Sequence, residues 1–268
     1  MSRAVKHELG EAPSPPQRVV LLGASNLTRG ISTIVELARR QWGSPVEVLA
    51  ALGHGRSYGM RSSVLGRALP GILKCGLWDA LARYPGAPTA ALLTDIGNDL
   101  LYHAPPEQVA DWVEECLEKL APYGTKAVVT GLPVCNLERL GAARFLFIRS
   151  LFVPSCRLDL KTVVERAWEL QGRLEAIAKT RGVPLVTPQL AWYGFDPIHL
   201  RMRVWPEAWR DILSHWSGEH SEGRLKPSLA RWLRLRSLAP QQRWLLGVEQ
   251  RRAQPCARLR DGTTIAYY

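Results

Sequence analysis

The chain has 268 residues, 46% of them hydrophobic, and a formal net charge of +11. That length allows one α/β domain of ordinary size with additions, and the apolar fraction excludes bulk disorder. No apolar run reaches the roughly 18–20 residues that cross a bilayer, and the polar lead 1–17, with Pro13, Pro15 and Pro16, lacks the apolar core of a secretory signal, so the chain reads as cytoplasmic, with no transmembrane segment.

After the lead, Arg18 to Leu22 is a short apolar run that stops at Gly23 and reads as a buried strand. Leu27, Ile31, Ile34, Val35 and Ala38 follow at helical spacing. Val46 to Leu52 is a second strand, ending in Gly53-His-Gly-Arg-Ser-Tyr-Gly59. Met60 to Leu73 reads as partly helical, with Val64, Leu65, Ala68 and Ile72 on one side. Thr89 to Thr94 is a third strand, and Val109, Trp112, Val113, Cys116, Leu117 and Leu120 mark an amphipathic helix. Lys126 to Leu132 is a fourth strand. Pro133 to Arg157, with Phe145, Phe147, Ile148, Leu151 and Phe152, is either a lid beside a site or a helix on the sheet edge. Leu160, Val163, Val164, Ala167, Leu170, Leu174 and Ile177 trace a long helix, Pro184 to Thr187 a fifth strand, and Trp205 to Trp216 a last helix.

Nearly all-apolar strands alternating with amphipathic helices predict a parallel sheet covered on both faces, a three-layer α/β/α domain over 18–220. The five cysteines are odd in number and lack CxxC spacing, which argues against a disulfide framework or a zinc cluster; Cys116 reads as a core residue.

In such a sheet, ligands bind beyond the carboxyl ends of the strands. The segments found there are Gly23-Ala-Ser25-Asn-Leu-Thr-Arg-Gly30, the 53–59 loop, Asp95-Ile-Gly-Asn-Asp99 and Asp196-Pro-Ile-His199. Ser25, at a helix start, is either a nucleophile beside free N–H groups or a simple helix cap. Gly55 is either an oxyanion donor or a turn glycine, and His54 and Arg56 either reach the site or stay solvated. Asn98 offers a neutral amide donor but is also a common turn residue. Asp196 and His199 lie three apart, close enough for the carboxylate to fix an imidazole that deprotonates a serine.

Serine after the first strand, glycine after the second, Gly-Asn-Asp after the third and Asp-x-x-His near the end together resemble the SGNH, or GDSL, hydrolases, from about Arg18 to Trp216. The resemblance implies a flavodoxin-like, mostly parallel five-stranded sheet with Ser25 as nucleophile and Asp196 and His199 completing the triad. It implies an oxyanion hole from Ser25, Gly55 and Asn98, no metal or organic cofactor, and a small-molecule ester as substrate. Two positions depart from the family pattern: Gly23-Ala24-Ser25 stands for Gly-Asp-Ser, and Ala50 or Ala51 stands where an Asn precedes the second-block glycine. A non-catalytic ligand- or partner-binding relative fits these departures too.

Residues 221–268 read as a basic C-terminal extension carrying +7 of the net charge. Leu225 to Leu238 mixes Leu and Trp with Arg, and either touches an anionic surface or packs on the domain with its arginines outward. Asp261-Gly262 between strand-like flanks signals a hairpin. No nucleic-acid motif is present, so nucleic acid is not an expected partner.

Overall fold

The structure is a computed structural model that describes residues 17–83, 86–153, 156–216, 225 and 228–268. All of the polar lead except residue 17, and the first part of the basic extension, lie outside the described residues.

Strand β1 (Gln17–Leu22) runs into helix α1 (Ser25–Trp42), and β2 (Val46–Ala51) follows. The expected partial helix at 60–73 is instead a hairpin, β3 (Ser62–Val64) and β4 (Arg67–Leu69), followed by a single 3-10 turn at Ile72–Lys74. Leu65 and Gly66 form its tip at φ +50° and +74°. A two-residue turn with both φ values positive matches the twist of an antiparallel pair and ends any helix. Leu65, placed on the apolar side of a helix by its spacing, is 97% exposed at that tip.

Then come α2 (Leu77–Ala82), β5 (Thr89–Leu93), α3 (Asn98–Leu101), α4 (Pro106–Leu120) and β6 (Lys126–Thr130). The 133–157 segment holds two helices, α5 (Val134–Glu138) and α6 (Ala142–Phe152). Helix α7 (Leu160–Arg181) starts with Asp159 accepting from Thr162 N at 2.7 Å and stops at Gly182, φ +63°. Strand β7 (Leu185–Val186) and helix α8 (Trp205–Ser214) complete the expected domain.

The extension adds α9 (Leu229–Ser237), β8 (Gln242–Leu245), β9 (Val248–Arg251), β10 (Ala257–Arg258) and β11 (Thr264–Tyr267). These strands enter both sheets of the protein. The main sheet has the order β10-β11-β2-β1-β5-β6-β7, with β10 alone antiparallel to its neighbour. It is therefore seven-stranded, the five expected strands plus two from the chain's last segment. β8 pairs with β4, giving a small antiparallel sheet β3-β4-β8-β9. Helix α9 lies on α1: Leu235 is fully buried, Trp232 Nε1 donates to Arg29 O at 2.9 Å, and Arg231 reaches Ser32 Oγ at 3.0 Å and Glu36 Oε2 at 2.9 Å.

The pleat divides the core. Val20 and Leu22 point to one face with Val109, Val113, Leu170 and Leu174 of α4 and α7. Val19 and Leu21 point to the other with Ile31, Ile34, Trp209 and Ile212 of α1 and α8. Alternate side chains of one strand thus feed two apolar layers, which requires the near-continuous apolar runs seen in the sequence. The three layers are α/β/α. Among the described residues, no helix is long and apolar enough to cross a membrane.

Strand order across the five expected strands puts β1 between β2 and β5, so chain direction across the sheet reverses at the β1/β5 boundary. Loops there splay apart and leave a crevice at the carboxyl ends. Ser25 follows β1, and Asp95 and Asn98 follow β5, on the two sides of that crevice.

Candidate active site

Gly23 takes the chain from β1 into α1 in close contact with the next strand end. A Cβ there would stand 2.7 Å from Thr94 Cγ2 and 3.1 Å from Thr94 O. The N-cap of α1 is Ala24, which has no side chain to cap with, and Ser25 is the first helical residue. The cap comes from Asp95 beyond β5. Its Oδ2 accepts from Ala24 N at 2.9 Å and Leu27 N at 3.1 Å, and its Oδ1 accepts from Asn26 Nδ2 at 2.7 Å. Asp95 does this from φ +60°, a conformation that Asp tolerates better than most residues. The negative charge at the start of α1, which a neighbouring Asp in the turn would have supplied, thus comes from another strand.

Ser25 is spared capping duty. Its Oγ lies 2.9 Å from His199 Nε2, and His199 Nδ1 lies 2.5 Å from Asp196 Oδ2. The other oxygen, Asp196 Oδ1, accepts from Ile198 N at 3.1 Å and His199 N at 3.2 Å, an Asx-type turn that fixes the carboxylate against its own loop. Burial pushes the Asp196 carboxyl up. The hydrogen bond and charge of His199 and the two backbone N–H groups more than offset it, so the group titrates below the usual range. Asn26 ties this loop to α1: Nδ2 also donates to Ile198 O at 2.9 Å, and Oδ1 accepts from Leu200 N at 2.8 Å. The Ser25 turn, the β5 end and the His199 loop are therefore joined by two side chains, Asp95 and Asn26. Neither role shows as a motif. The legible signal was a carboxylate and an amide at strand ends, a pattern that turns also produce.

Asn98 lines the same cavity as Ser25, and its Nδ2 is buried without a hydrogen-bond partner. A buried unpartnered donor costs free energy and marks either strain or a missing acceptor. Gly55 sits at φ +62° in the turn after β2, with its carbonyl accepting from the Tyr102 hydroxyl at 2.6 Å. It is not among the residues lining the Ser25 cavity. His54, in the same turn, is exposed, whereas Arg56 is fully buried. Arg56 donates to Leu52 O and Pro70 O, each at 3.2 Å, and to Tyr268 O, so it braces the turn against the last strand. Although part of its surface is exposed, the ring is packed closely enough that burial, then the charges of Arg236, His199, Arg67 and Arg29, push His54 down to about 4 and keep it neutral; Arg236 Nη2 lies 3.5 Å from its Nε2.

Asp99 is buried below Asn98 and accepts from Tyr58 N at 2.9 Å. Burial raises its carboxyl from 3.8 to about 6 against the opposing bonds from Ser57 and Tyr58. An acid whose folded value is raised holds more protons when folded, so stability falls as pH rises between the two values. Two units correspond to on the order of 3 kcal/mol. Unfolding midpoints should therefore drop from pH 4 to pH 7 through this group, and Asp99→Asn should flatten that slope and raise the midpoint at pH 8, as measured by thermal melts.

The cavity is about 120 Å³ and runs from Ser25 and Asn98 between Trp192, Trp209 and the α5–α6 segment. Among the described residues, no three His, Cys, Asp or Glu side chains gather as a metal-holding set.

No family model and no curated protein sequence matches this chain. Solved structures do. One, 14% identical over 76% of this chain and all of its own length, superposes with a TM-score of 0.52. The esterase EstA from Pseudoalteromonas sp., solved inhibited by monoethylphosphonate, is 12% identical over 76% of this chain and 100% of its own, with a TM-score of 0.48. AlinE4, an SGNH-hydrolase family esterase, is 14% identical over 82% of this chain and 92% of its own, with a TM-score of 0.39. At these identities the likeness concerns fold alone, and scores below 0.5 add nothing to it.

Proposed function

We propose that this protein is a serine hydrolase of the SGNH type that cleaves an acyl ester at Ser25. The observation that carries the proposal is the chain of contacts Ser25 Oγ–His199 Nε2 at 2.9 Å and His199 Nδ1–Asp196 Oδ2 at 2.5 Å, on a serine that its helix does not use as a cap.

In this reading His199 Nε2 takes the Ser25 proton as Oγ bonds to the substrate carbonyl carbon. The carbonyl oxygen becomes an oxyanion, stabilised by Asn98 Nδ2 and by the N–H group of Ser25; Gly55, off the cavity wall, takes no part in this reading. The start of α1 adds its dipole. Asp95 takes the N–H groups of Ala24 and Leu27, and neither of its bonds goes to Ser25 N. As the tetrahedral species collapses, the C–O bond to the alcohol breaks and the alcohol leaves with the proton held by His199. Water, deprotonated by the same imidazole, then releases the acid and restores Ser25. Asp196 holds the imidazole with Nε2 free to accept and stabilises its cationic form.

Turnover of p-nitrophenyl esters across several acyl lengths tests the proposal; purified protein with no activity on any of them sinks it. Asn98→Ala separates the oxyanion role from a turn role. Because Nδ2 has no partner in the unliganded protein, the melting temperature should hardly move, whereas kcat should fall about 10²–10³-fold, the usual cost of one oxyanion donor. A turn residue would show the reverse pattern.

A binding-only role predicts a serine turned away from its histidine. The 2.9 Å contact and the open cavity favour catalysis instead.

A further inference from the structure

The cavity that holds Ser25 has polar lining at Ser25, Asp95 and Asn98, and an apolar wall of Leu132, Leu140, Phe145 and Val163, none more than 6% exposed, with Arg149 also on its lining. Leu140, Phe145 and Val163 form an apolar cluster of their own, separate from the two main cores. Apart from Leu132, which belongs to one of those cores, this wall is not part of the sheet packing. It is built by the α5–α6 segment and the start of α7.

That segment is fastened to the loop carrying the candidate catalytic histidine. Asn136 Nδ2 donates to Pro197 O at 3.4 Å. Arg144 Nη2 donates to Gly194 O at 3.3 Å, and its guanidinium lies 4.1 Å from the centre of the Phe195 ring. At its other end Arg149 Nη1 donates to Leu158 O at 2.7 Å. The roof over the apolar wall is therefore tied to the loop that carries His199, as a group that positions a substrate must be.

We propose that this roofed chamber receives the acyl chain of the substrate and selects an apolar chain of medium length over acetyl; the inference rests on the hydrolase reading above. An apolar cavity of about 150 Å³ takes a guest the size of benzene. A cavity of about 120 Å³ then takes roughly five carbons beyond the carbonyl. Each methylene moved from water into it should raise kcat/KM about fourfold until the chamber is full. Longer chains meet the Val163–Phe145 wall and gain nothing further.

The experiment compares straight-chain p-nitrophenyl esters from acetyl to dodecanoyl, and alkyl fluorophosphonates of matching lengths, on wild type, Val163→Phe and Phe145→Ala. Wild type should rise steeply from acetyl to about hexanoyl and then level or fall. Val163→Phe fills the chamber and should cost hexanoyl at least tenfold more than acetyl. Phe145→Ala opens it and should move the optimum to longer chains; it decides the question alone if the bulkier variant does not fold. A flat wild-type profile, an acetyl preference, or an optimum unmoved by both variants overturns the chamber. Labelling of Ser25 at equal rates for every alkyl length overturns the chamber and leaves the hydrolase standing. Labelling at no length overturns both.

Discussion

Ser25→Ala is expected to lower kcat for every accepted ester by about 10⁶-fold and to leave the melting temperature nearly unchanged. The first half follows from the chemistry. Without Oγ there is no covalent intermediate, and only binding and the oxyanion donors remain, which in triad enzymes preserve about 10³–10⁴-fold over water. The second half follows from the helix. Loss of a serine cap typically costs about 1 kcal/mol, but α1 is capped by Asp95 and not by Ser25. The substitution gives up only the bond to His199. Steady-state kinetics and a thermal melt on the same preparation check both halves. A large loss of stability with little loss of rate would return Ser25 to the role of cap.

Asp196→Asn is expected to cost about 10⁴-fold in kcat with the fold intact, the size of effect seen when a triad carboxylate becomes an amide. The amide oxygen can still accept from the N–H groups of Ile198 and His199, so the loop keeps its turn. The amide nitrogen then faces His199 Nδ1 and donates to it. The ring proton moves to Nε2, which points at Ser25 and no longer accepts its proton. Raising the pH does not restore the lost base, because the tautomer and not the charge is wrong. A pH–rate profile of the variant that stays low throughout distinguishes this from a shifted titration. The carboxylate also contributes to stability. Its folded value lies below the unfolded one, so its contribution is present above the ordinary carboxylate range and is lost as pH falls through the depressed value.

The five strands from β1 to β7 in the main sheet were legible because they are largely buried and carry few polar residues. Their ends were legible for the opposite reason, since glycine and polar residues collect where backbone leaves the sheet. That placed Ser25, Asn98, Asp196 and His199 on one rim. The structure brings Ser25, His199 and Asp196 into contact, puts Asn98 in the same cavity, and leaves Gly55 in the neighbouring turn off the cavity wall. The support of the site was not legible. Asp95 bonds Ala24 across 71 residues, and Asn26 bonds Leu200 across 174, distances at which no local pattern carries information. Nor was the destination of the last segment. Asp261-Gly262 announces a hairpin, and β10 and β11 do pair, but nothing local says that β11 lies along β2, more than 200 residues earlier. The hairpin at 62–69 was misread because Val64, Leu65, Ala68 and Ile72 fall at helical intervals by chance, and the turn chemistry of Leu65-Gly66 overrides that spacing.

The departure at Ala24 has a physical answer in Asp95. A carboxylate is still present at the turn, delivered from the loop after β5, with Oδ2 on the Ala24 and Leu27 N–H groups and Oδ1 on Asn26.

The central claim is that Ser25 is a nucleophile activated by His199. Incubation with a fluorophosphonate followed by intact-mass and peptide mapping tests it most directly. One covalent adduct per chain on Ser25, absent in Ser25→Ala and strongly slowed in His199→Ala, is the predicted result. No adduct on the wild-type protein, or an adduct that survives the loss of Ser25, would contradict it.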